Sequence, residues 1–290
     1  MGDTWGCRCS SSQAAEHIVP ITYMAKIISR IMLVLCILAL CGCNLQRNML
    51  YYPTKTVPSK ASLSAYNLQF WPSDLKDYRG FINILTTGQP KGTIIVFHGN
   101  AGTAADRVYY VNALTRLGFR VILAEYPGYG KRTGKMGEES FVLDAKETML
   151  LAFEQYGAPI YLLGESLGCG VAAAAAKDSL IKSEGILLIT PWDSLLSVAK
   201  EKFTWFPVRL FLRDRYDTID NLKEYQGRII VVGAERDEVI PIQHAEALFR
   251  SLPGSPKFYM IKGAGHNDWP ERVSLGWWKE AMDLMEKHDR

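Results

Sequence analysis

The sequence predicts an α/β fold, with a mostly parallel sheet, helices on both faces of that sheet and a short helical insertion. Two observations carry this prediction. Short apolar runs rich in Ile, Val and Leu recur along the chain, and stretches of helical character separate most of them. Strands that are apolar throughout are typical of a sheet buried on both faces. The 290 residues, 48% of them hydrophobic, are enough for one large core.

The predicted strands and helices alternate along most of the chain. The predicted strands are Leu68–Trp71, Gly80–Leu85, Thr93–Phe97, Val121–Ala124, Pro159–Leu163, Gly185–Ile189, Arg228–Val232 and Lys257–Ile261. The predicted helices are Ala104–Leu117, Glu138–Tyr156, Leu167–Leu180, Ile242–Leu252 and Leu275–Lys287. Such alternation favours βαβ units, and therefore parallel strand pairs.

Residues 191–222 interrupt this alternation. They contain the aromatic residues Trp192, Trp205, Phe206 and Phe211. The segment follows the strand after the third helix, where a lid over an active site would be inserted, and its aromatic content then indicates an apolar binding surface. The alternative is ordinary core packing of two short helices.

The N-terminal region has the pattern of a secretory signal. Lys26 and Arg30 precede the uncharged apolar run Ile31–Leu40, which is too short to span a bilayer comfortably. The following Leu40–Cys43 (LCGC) resembles a bacterial lipoprotein signal, which implies lipidation of Cys43 and an exported protein at the periplasmic face of the cell envelope. Asn44 suggests, by the same resemblance, transfer to the outer membrane. The alternative is an uncleaved, tilted membrane anchor.

This pattern also suggests how the chain is organised. Met24 lies where such a signal would begin, so we expect residues 1–23 to be an upstream extension from a misassigned start, and 1–43 to comprise extension and signal. Residues 44–67 are predicted to be a tether, of which Tyr51–Pro53 could dock on the domain. Residues 68–290 form the predicted catalytic domain, including the 191–222 insertion.

The cysteines are concentrated in the same N-terminal region. Five of the six lie there (Cys7, Cys9, Cys36, Cys41 and Cys43), and only Cys169 belongs to the predicted domain. The domain therefore has no partner for an intradomain disulfide and no cysteine cluster for zinc, and we expect no metal and no cofactor. Cys169 is predicted to pack in the core, although its closeness to Ser166 makes it a rival nucleophile.

The segment Gly164–Gly168 (GESLG) predicts a nucleophile elbow. It joins an apolar strand to an alanine-rich helix, which is the context that this motif requires. Glycines on either side let two backbone segments approach closely, while Ser166 is held in a strained turn at the start of the helix.

A serine nucleophile needs a base that is oriented by a carboxylate. His266 follows the last predicted strand on a glycine-flanked loop, and Asp237 follows the strand before it. The order Ser166, Asp237, His266 is that of a known triad arrangement. Asp193 is the main rival for the acid, ahead of Glu235 and Glu238. His98 is expected to shape its loop, His244 to be exposed near a helix start, and Asp268 to lie too close in sequence to His266 to brace its ring.

Two backbone N–H groups are candidates for an oxyanion hole. The Leu167 N–H follows the nucleophile at the N-terminus of a helix, where the dipole favours negative charge. The second donor is expected from the loop His98–Gly102, with the Asn100 N–H preferred over that of Ala101.

Five motifs occur in a characteristic order between about residue 68 and the C-terminus. They are His98–Gly102 (HGNAG), Tyr126–Gly130 (YPGYG), Gly164–Gly168 (GESLG), Asp237–Pro241 (DEVIP) and Gly263–His266 (GAGH). Together they resemble the α/β-hydrolase superfamily, closest to the Bem46-like branch with α/β-hydrolase domain-containing proteins 13 and 17, near the serine aminopeptidases S33. The resemblance implies the α/β-hydrolase fold, a triad of Ser166, Asp237 and His266, and a metal-free hydrolase of ester, thioester or amide bonds.

The leading functional hypothesis is an esterase or thioesterase that acts on a small or lipid-like acyl substrate at a membrane surface. A peptidase is the second hypothesis, because Asp214, Asp217 and Asp220 in the insertion could grip a substrate amine, although a solvated helix face is the simpler explanation. A non-catalytic envelope lipoprotein is the third. A haloalkane dehalogenase is disfavoured because serine stands where aspartate would be needed, and a net charge of +3 gives no indication of nucleic-acid binding. No substrate-binding residue is predicted.

Overall fold

The computed structural model describes residues 46–84 and 88–286, together with the isolated residues Gly2 and Ser29. The chain divides into two compact units, Met1–Gly42 and Cys43–Arg290. The predicted signal, the predicted lipidation site Cys43 and Asn44 lie outside the described residues. In the described part of the chain, no helix combines the length and the apolar character that crossing a membrane requires.

Ten strands are present in the described residues. In chain order they are β1 (Tyr52–Pro53), β2 (Leu68–Trp71), β3 (Gly80–Asn83), β4 (Thr93–Phe97), β5 (Ala101–Gly102), β6 (Arg120–Ala124), β7 (Ile160–Glu165), β8 (Gly185–Ile189), β9 (Arg228–Ala234) and β10 (Lys257–Ile261). Eight of them form one sheet in the order β10-β9-β8-β7-β4-β6-β3-β2. Its pairs are parallel except β2–β3 and β3–β6, so the prediction of a mostly parallel sheet is confirmed.

The helices in the described residues are, in chain order, α1 (46–50), α2 (Lys60–Ala65), α3 (Val108–Leu114), α4 (Glu138–Tyr156), α5 (Leu167–Ala176), α6 (Leu195–Lys202), α7 (Val208–Phe211), α8 (Thr218–Leu222), α9 (Ile242–Ser251) and α10 (Leu275–Glu286). The five predicted helices are present with shifted ends, as α3, α4, α5, α9 and α10, and the structure adds two helices before the sheet and three in the insertion. The predicted helix Ala104–Leu117 is α3 with a 3-10 turn at each end. The predicted Leu167–Leu180 stops at Ala176, because Lys177 is extended and Asp178 has a φ of 52°.

The apolar core lies on both faces of the sheet, because successive strand residues point to opposite sides. On one face, Ile95 and Leu162 belong to a buried cluster with residues of α4, α5 and α9. On the other face, Val96 and Leu163 belong to a cluster with residues of α3 and α10. Helices therefore cover both faces, as the all-apolar strands predict.

The segment before the sheet also packs on the domain. Tyr51 is buried, and β1 pairs in parallel with β5, with Tyr52 opposite Ala101. Leu63 of α2 is buried as well. Residues 46–67 of the predicted tether therefore contact the domain, and the expected docking of 51–53 is observed, because these residues offer an aromatic ring and backbone hydrogen bonds to the loop after β4.

The insertion at 191–222 contains α6, α7 and α8. Its inner side is part of the core, since Leu195, Val198 and Leu222 are buried there. Its outer side carries Trp205 and Leu210, which are largely exposed. The core-packing interpretation therefore holds for the inner side of this segment.

Candidate active site

Ser166 lies at the sharp junction between β7 and α5. Its φ of 53° and ψ of −116° place a non-glycine residue in a region that L-residues rarely adopt. A Cβ at Gly164 would lie 2.5 Å from the Gly168 carbonyl oxygen, and a Cβ at Gly168 would lie 1.9 Å from the carbonyl oxygen of Phe97. Both glycines are therefore required because β4, β7 and α5 approach each other too closely for any side chain.

The three residues predicted as a triad lie within hydrogen-bond distance of one another. His266 Nε2 is 2.9 Å from Ser166 Oγ, and His266 Nδ1 is 2.7 Å from Asp237 Oδ2. All three residues are buried: Ser166 is 6% exposed, and Asp237 and His266 are each 8% exposed. An imidazole in this position can take a proton from the serine hydroxyl while the carboxylate fixes the orientation of the ring.

The loop after β9 fixes the carboxylate of Asp237. Its Oδ1 atom accepts hydrogen bonds from the backbone N–H groups of Val239 (2.9 Å) and Ile240 (2.7 Å). The other oxygen is therefore directed at His266. The backbone N–H of His266 is 3.3 Å from Glu238 Oε2, so the two loops that carry acid and base also bind each other.

The rival acid Asp193 has a different partner. Its Oδ1 is 2.7 Å from His244 Nδ1, and His244 Nε2 is 3.0 Å from Glu201 Oε2. The expectation that His244 is exposed is wrong: it is buried, because its ring lies between the carboxylates of Asp193, which precedes α6, and of Glu201, near the end of α6. The hydrogen bond that His244 donates to Asp193 raises the pKa of His244 above its ordinary value. Burial alone would raise the pKa of Asp193, but the His244 hydrogen bond lowers it overall.

The other acidic candidates bind backbone groups. Glu235 Oε2 accepts the N–H of Gly263 at 2.6 Å. Asp268 accepts the N–H of Gly265 and pairs with Arg272, and this hydrogen bond to Arg272 lowers the pKa of Asp268. As expected, Asp268 does not brace the ring of His266, because these bonds hold its carboxylate elsewhere.

Cys169 is a core residue. It is fully buried one turn into α5, and its thiol donates to the carbonyl oxygens of Gly164 and Ile189. Burial raises the pKa of this thiol well above its ordinary value. A thiol that is neutral and enclosed is not a competent nucleophile, so the geometry favours Ser166.

The loop after β4 lies beside Ser166. A Cβ at Gly99 would be 3.7 Å from that of Ser166, which places this backbone next to the hydroxyl. His98 shapes the loop, as expected: its Nδ1 is 2.8 Å from the Gly99 carbonyl oxygen and its Nε2 is 3.1 Å from Glu125 Oε1. It is buried and does not contact the triad through these bonds.

Asn100 is held by its carbonyl and its side chain. The carbonyl oxygen accepts from Tyr129 Oη (2.6 Å) and Tyr52 N (2.9 Å), and the side-chain amide donates to Leu50 O (2.9 Å). Within the described part of the chain, the Asn100 N–H donates to no other group. Leu167, as the first residue of α5, has an N–H with no carbonyl one turn earlier to bind. Both predicted donors are thus available to an oxyanion.

A polar cluster around Glu165 was not predicted from the sequence. This residue precedes Ser166, and its carboxylate accepts from Arg107 Nε (3.1 Å) and from the hydroxyls of Tyr110 (2.7 Å) and Tyr109. Burial raises the pKa of Glu165, but Arg107 and the two hydroxyls more than offset this and lower it overall. Arg107 Nη2 also lies 3.4 Å from the Ala101 carbonyl oxygen, so the cluster ties the elbow to the oxyanion loop. Glu165 occupies the variable position before the serine in the elbow motif, so the motif itself does not predict this cluster.

No metal site accompanies these residues. Nowhere in residues 46–84 and 88–286 does a group of three His, Cys, Asp or Glu side chains converge in a way that could hold an ion.

Comparison with known proteins identifies a family model and relatives that resemble this chain. Residues 88–211 match the model of the serine aminopeptidase S33 family. The chain is 28% identical over 229 residues to the Mycobacterium tuberculosis protein Rv2307c, covering 77% of this chain and 81% of that protein. It is 25% identical over 216 residues to α/β-hydrolase domain-containing protein 17C of Xenopus laevis, covering 72% and 67% of the two chains.

Solved structures share the fold. An esterase of Pyrococcus furiosus aligns with a TM-score of 0.60 at 15% identity, covering 81% of this chain and 98% of that one. Est1E of Butyrivibrio proteoclasticus aligns with a TM-score of 0.58 at 19% identity, covering 72% and 97%. The sheet order, the elbow and these likenesses together show that the chain has the α/β-hydrolase fold.

Proposed function

We propose that this protein is a serine hydrolase that cleaves carboxylic ester or thioester bonds through an acyl-enzyme intermediate. The observation that carries the proposal is the continuous hydrogen-bonded row from Ser166 through His266 to Asp237, with distances of 2.9 and 2.7 Å. No other histidine described in the structure contacts the Ser166 hydroxyl. The fold and the match of residues 88–211 to the S33 family model support hydrolysis in general, and the three hydrogen-bonded residues support the specific chemistry.

The reaction follows from the geometry. His266 Nε2 takes the proton of the Ser166 hydroxyl as Oγ attacks the acyl carbon, and the N–H groups of Leu167 and Asn100 bind the oxyanion that forms. His266 then gives that proton to the leaving alcohol or thiol, which departs and leaves the acyl group on Ser166. Water, deprotonated by the same imidazole, hydrolyses the acyl-enzyme and restores the serine. Asp237 stabilises the imidazolium in both steps.

A serine-directed fluorophosphonate probe and p-nitrophenyl acyl esters test this proposal. The parent protein should be labelled and should hydrolyse the esters, and Ser166→Ala should lose both properties. Cys169→Ala is the matched control: it removes the neighbouring buried thiol, and both activities should persist. Equal ester hydrolysis in the parent and in Ser166→Ala would contradict the proposal.

Peptide hydrolysis is the alternative, and the acidic residues that motivate it have other partners. Asp214 is buried and accepts the Tyr51 hydroxyl, so it does not lie on a solvated helix face. Asp217 caps α8, and Asp220 pairs with Lys177 and Lys223. All three carboxylates thus already have partners within the protein, which argues against a role in binding a substrate amine. Aminoacyl amides assayed beside the esters would separate the two: a higher kcat/KM on the amides would favour the peptidase.

A non-catalytic role is the third candidate. It predicts that the probe does not react, because only an activated serine attacks a fluorophosphonate. Labelling of the parent protein that is lost in His266→Ala would exclude a purely structural use of the fold.

We further propose that the reaction takes place at a membrane. The basic-apolar pattern of residues 26–43 and Cys43 supports attachment through a lipid, and an acyl substrate is itself lipid-like. The insertion at 191–222, which follows β8 at the carboxyl edge of the sheet, is proposed to act as a lid over the site. Metabolic labelling with a fatty-acid analogue, compared between the parent and Cys43→Ala, tests the attachment.

A further inference from the structure

The outermost part of the insertion, residues 203–211, exposes large apolar side chains to solvent. We call this segment the insertion tip. Trp205 is 84% exposed and Leu210 is 79% exposed. Both values are far above what the core-facing side of the same insertion shows, where Val208 is buried. Exposing both a tryptophan and a leucine to water costs free energy. Such a surface indicates a site that another molecule covers when the protein functions.

The tip is ordered by its own aromatic packing. The rings of Phe206 and Phe211 are 5.0 Å apart, and the ring of Trp205 lies 5.8 Å from Phe206. The two phenylalanines are half-buried and support the turn between α6 and α7. Trp205 and Leu210 are therefore presented outward on a preformed apolar platform, not displaced from a core.

The same stretch of chain is basic. The exposed cations between positions 200 and 215 are Lys200, Lys202, Arg209, Arg213 and Arg215. In the part of the chain that the structure describes, none of these five side chains forms an ion pair with a carboxylate, although the backbone N–H of Arg215 donates to Glu138. The two acidic residues in the same stretch are already engaged, since Glu201 contacts His244 and the buried Asp214 accepts from Tyr51. The segment that carries the insertion tip thus combines an exposed apolar patch with an excess of positive charge.

We propose that the insertion tip docks on a lipid bilayer that contains anionic phospholipids. Tryptophan and leucine enter the boundary between headgroups and acyl chains, and lysine and arginine bind the phosphate groups around them. The excess of cations in the same stretch as the exposed apolar residues favours an anionic bilayer over an uncharged apolar partner. This proposal goes beyond the proposed function, because it needs neither the triad nor a lipid on Cys43.

The beginning of the described chain meets the base of the same insertion. The side chain of Gln46 accepts from the backbone N–H groups of Arg213 (2.8 Å) and Asp214 (3.2 Å), and it donates to the Asp214 carbonyl oxygen (2.9 Å). Cys43 precedes Gln46 by three positions, a chain length of roughly 10 Å at most. A lipid on that residue would therefore be attached within a short length of chain from the base of the insertion, which is compatible with both entering one bilayer.

Quenching of tryptophan fluorescence by brominated lipids tests the docking. The purified full chain is mixed with vesicles of brominated phosphatidylcholine and phosphatidylglycerol, and the same measurement is made on Trp205→Phe. Most of the lipid-dependent quenching should be lost in this variant, even where the N-terminal region keeps the protein on the vesicles. Trp277→Phe, a half-buried tryptophan on α10, is the matched control and should keep it.

The charge requirement is tested with the same vesicles. Replacing Lys202 and Arg209 by Gln should raise the concentration of vesicle lipid needed for half-maximal quenching by about 25-fold, since each cation contributes about fivefold at an anionic surface. Equal quenching in the parent and Trp205→Phe, or quenching that is independent of phosphatidylglycerol, would overturn the proposal. The quenching reports the position of Trp205 relative to the lipid and not turnover, so failure of the esterase proposal would leave it unchanged.

Discussion

His266 Nε2 lies 2.9 Å from Ser166 Oγ, although 100 positions separate the two residues in the chain. The sheet explains this distance. β7 carries Ser166 at its carboxyl end, and β9 and β10 carry the loops of Asp237 and His266 at the same edge. Because the four strands from β7 to β10 are adjacent and parallel, three distant segments meet at one place.

Removal of the proposed triad acid should cost far more activity than removal of its rival. Asp237→Asn should lower kcat by about 10⁴-fold, because the amide no longer stabilises the imidazolium or selects its tautomer; this magnitude is that known for a serine-protease triad. Asp193→Asn is the matched control, since Asp193 binds His244, and its kcat should change less than tenfold. Steady-state kinetics on a p-nitrophenyl ester measure both. Similar losses in the two variants would contradict the assignment of the acid.

The second oxyanion donor can be removed without touching a reacting side chain. Asn100→Pro deletes the backbone N–H and should lower kcat by about 10²- to 10³-fold, the usual cost of one such donor. Asn100→Ala keeps the N–H and removes only the side-chain bond to Leu50, so it should keep most of the activity. Circular dichroism establishes that both variants are folded. If proline and alanine have the same effect, the donor belongs to another residue.

The elbow should not tolerate a methyl group at Gly168. An added Cβ would lie 1.9 Å from the Phe97 carbonyl oxygen, so β4 and α5 would have to separate. Gly168→Ala should lower the free energy of unfolding by more than about 3 kcal/mol, as strongly overpacked substitutions do.

Gly276 provides the comparison for this substitution. It lies in α10, and its added Cβ would meet only Ser274 Oγ at 3.5 Å. Gly276→Ala should therefore be neutral or stabilising by up to about 1 kcal/mol, because alanine is the better helix former. Urea unfolding measures the free energy of unfolding of both variants. A small loss for Gly168→Ala would mean that β4 and α5 can separate enough to accommodate the added methyl group.

The pair of His244 and Asp193 should make stability depend on pH. The hydrogen bond between the two side chains raises the pKa of His244 above the ordinary 6.5 and lowers that of Asp193 below the ordinary 3.8. The His244 contribution is complete below its unfolded pKa and is lost as pH rises through the folded one; that of Asp193 is present above its unfolded pKa and is lost in acid. The pair therefore contributes most between these two values, at about pH 4–6.

His244→Gln tests this dependence. It should lower the free energy of unfolding by about 1.5–3 kcal/mol near pH 5, the usual range for a hydrogen bond to a charged group, and by less near pH 9. Denaturant titrations at the two pH values measure the difference. Lys223→Gln is a control, because its ion pair with Asp220 is exposed and its loss should have little effect at either pH. A loss for His244→Gln that is equal at both pH values would mean that the imidazole acts only by packing.

Much of this protein could be predicted from local sequence. Runs such as Thr93–Phe97 are apolar throughout, and a run of that kind is stable only between two layers of helices, so it identified both the strand and its burial. The positions flanking Ser166 needed glycine for a steric reason that the motif already expresses. The order of the three polar residues along the chain was enough to anticipate their meeting, because parallel strands bring their carboxyl ends to one edge.

Other features depended on contacts between distant segments, and no local pattern contained them. The enclosure of His244 between Asp193 and Glu201 exists only because folding brings α9 close to Glu201 of α6 and to Asp193 before it. The ion pair of Arg107 with Glu165 likewise joins two loops that are far apart in sequence.

The sequence by itself determined which segments are strands and helices and which residues could supply a nucleophile, a base and an acid, since periodicity and side-chain chemistry are local properties. The tertiary structure decided the antiparallel pairing of β2 with β3 and of β3 with β6, the pairing of β1 with β5, and which carboxylate faces which histidine. Buried polar groups must find hydrogen-bond partners when the protein folds. Which partner each group finds depends on residues that are far apart in the sequence and meet only in the folded structure.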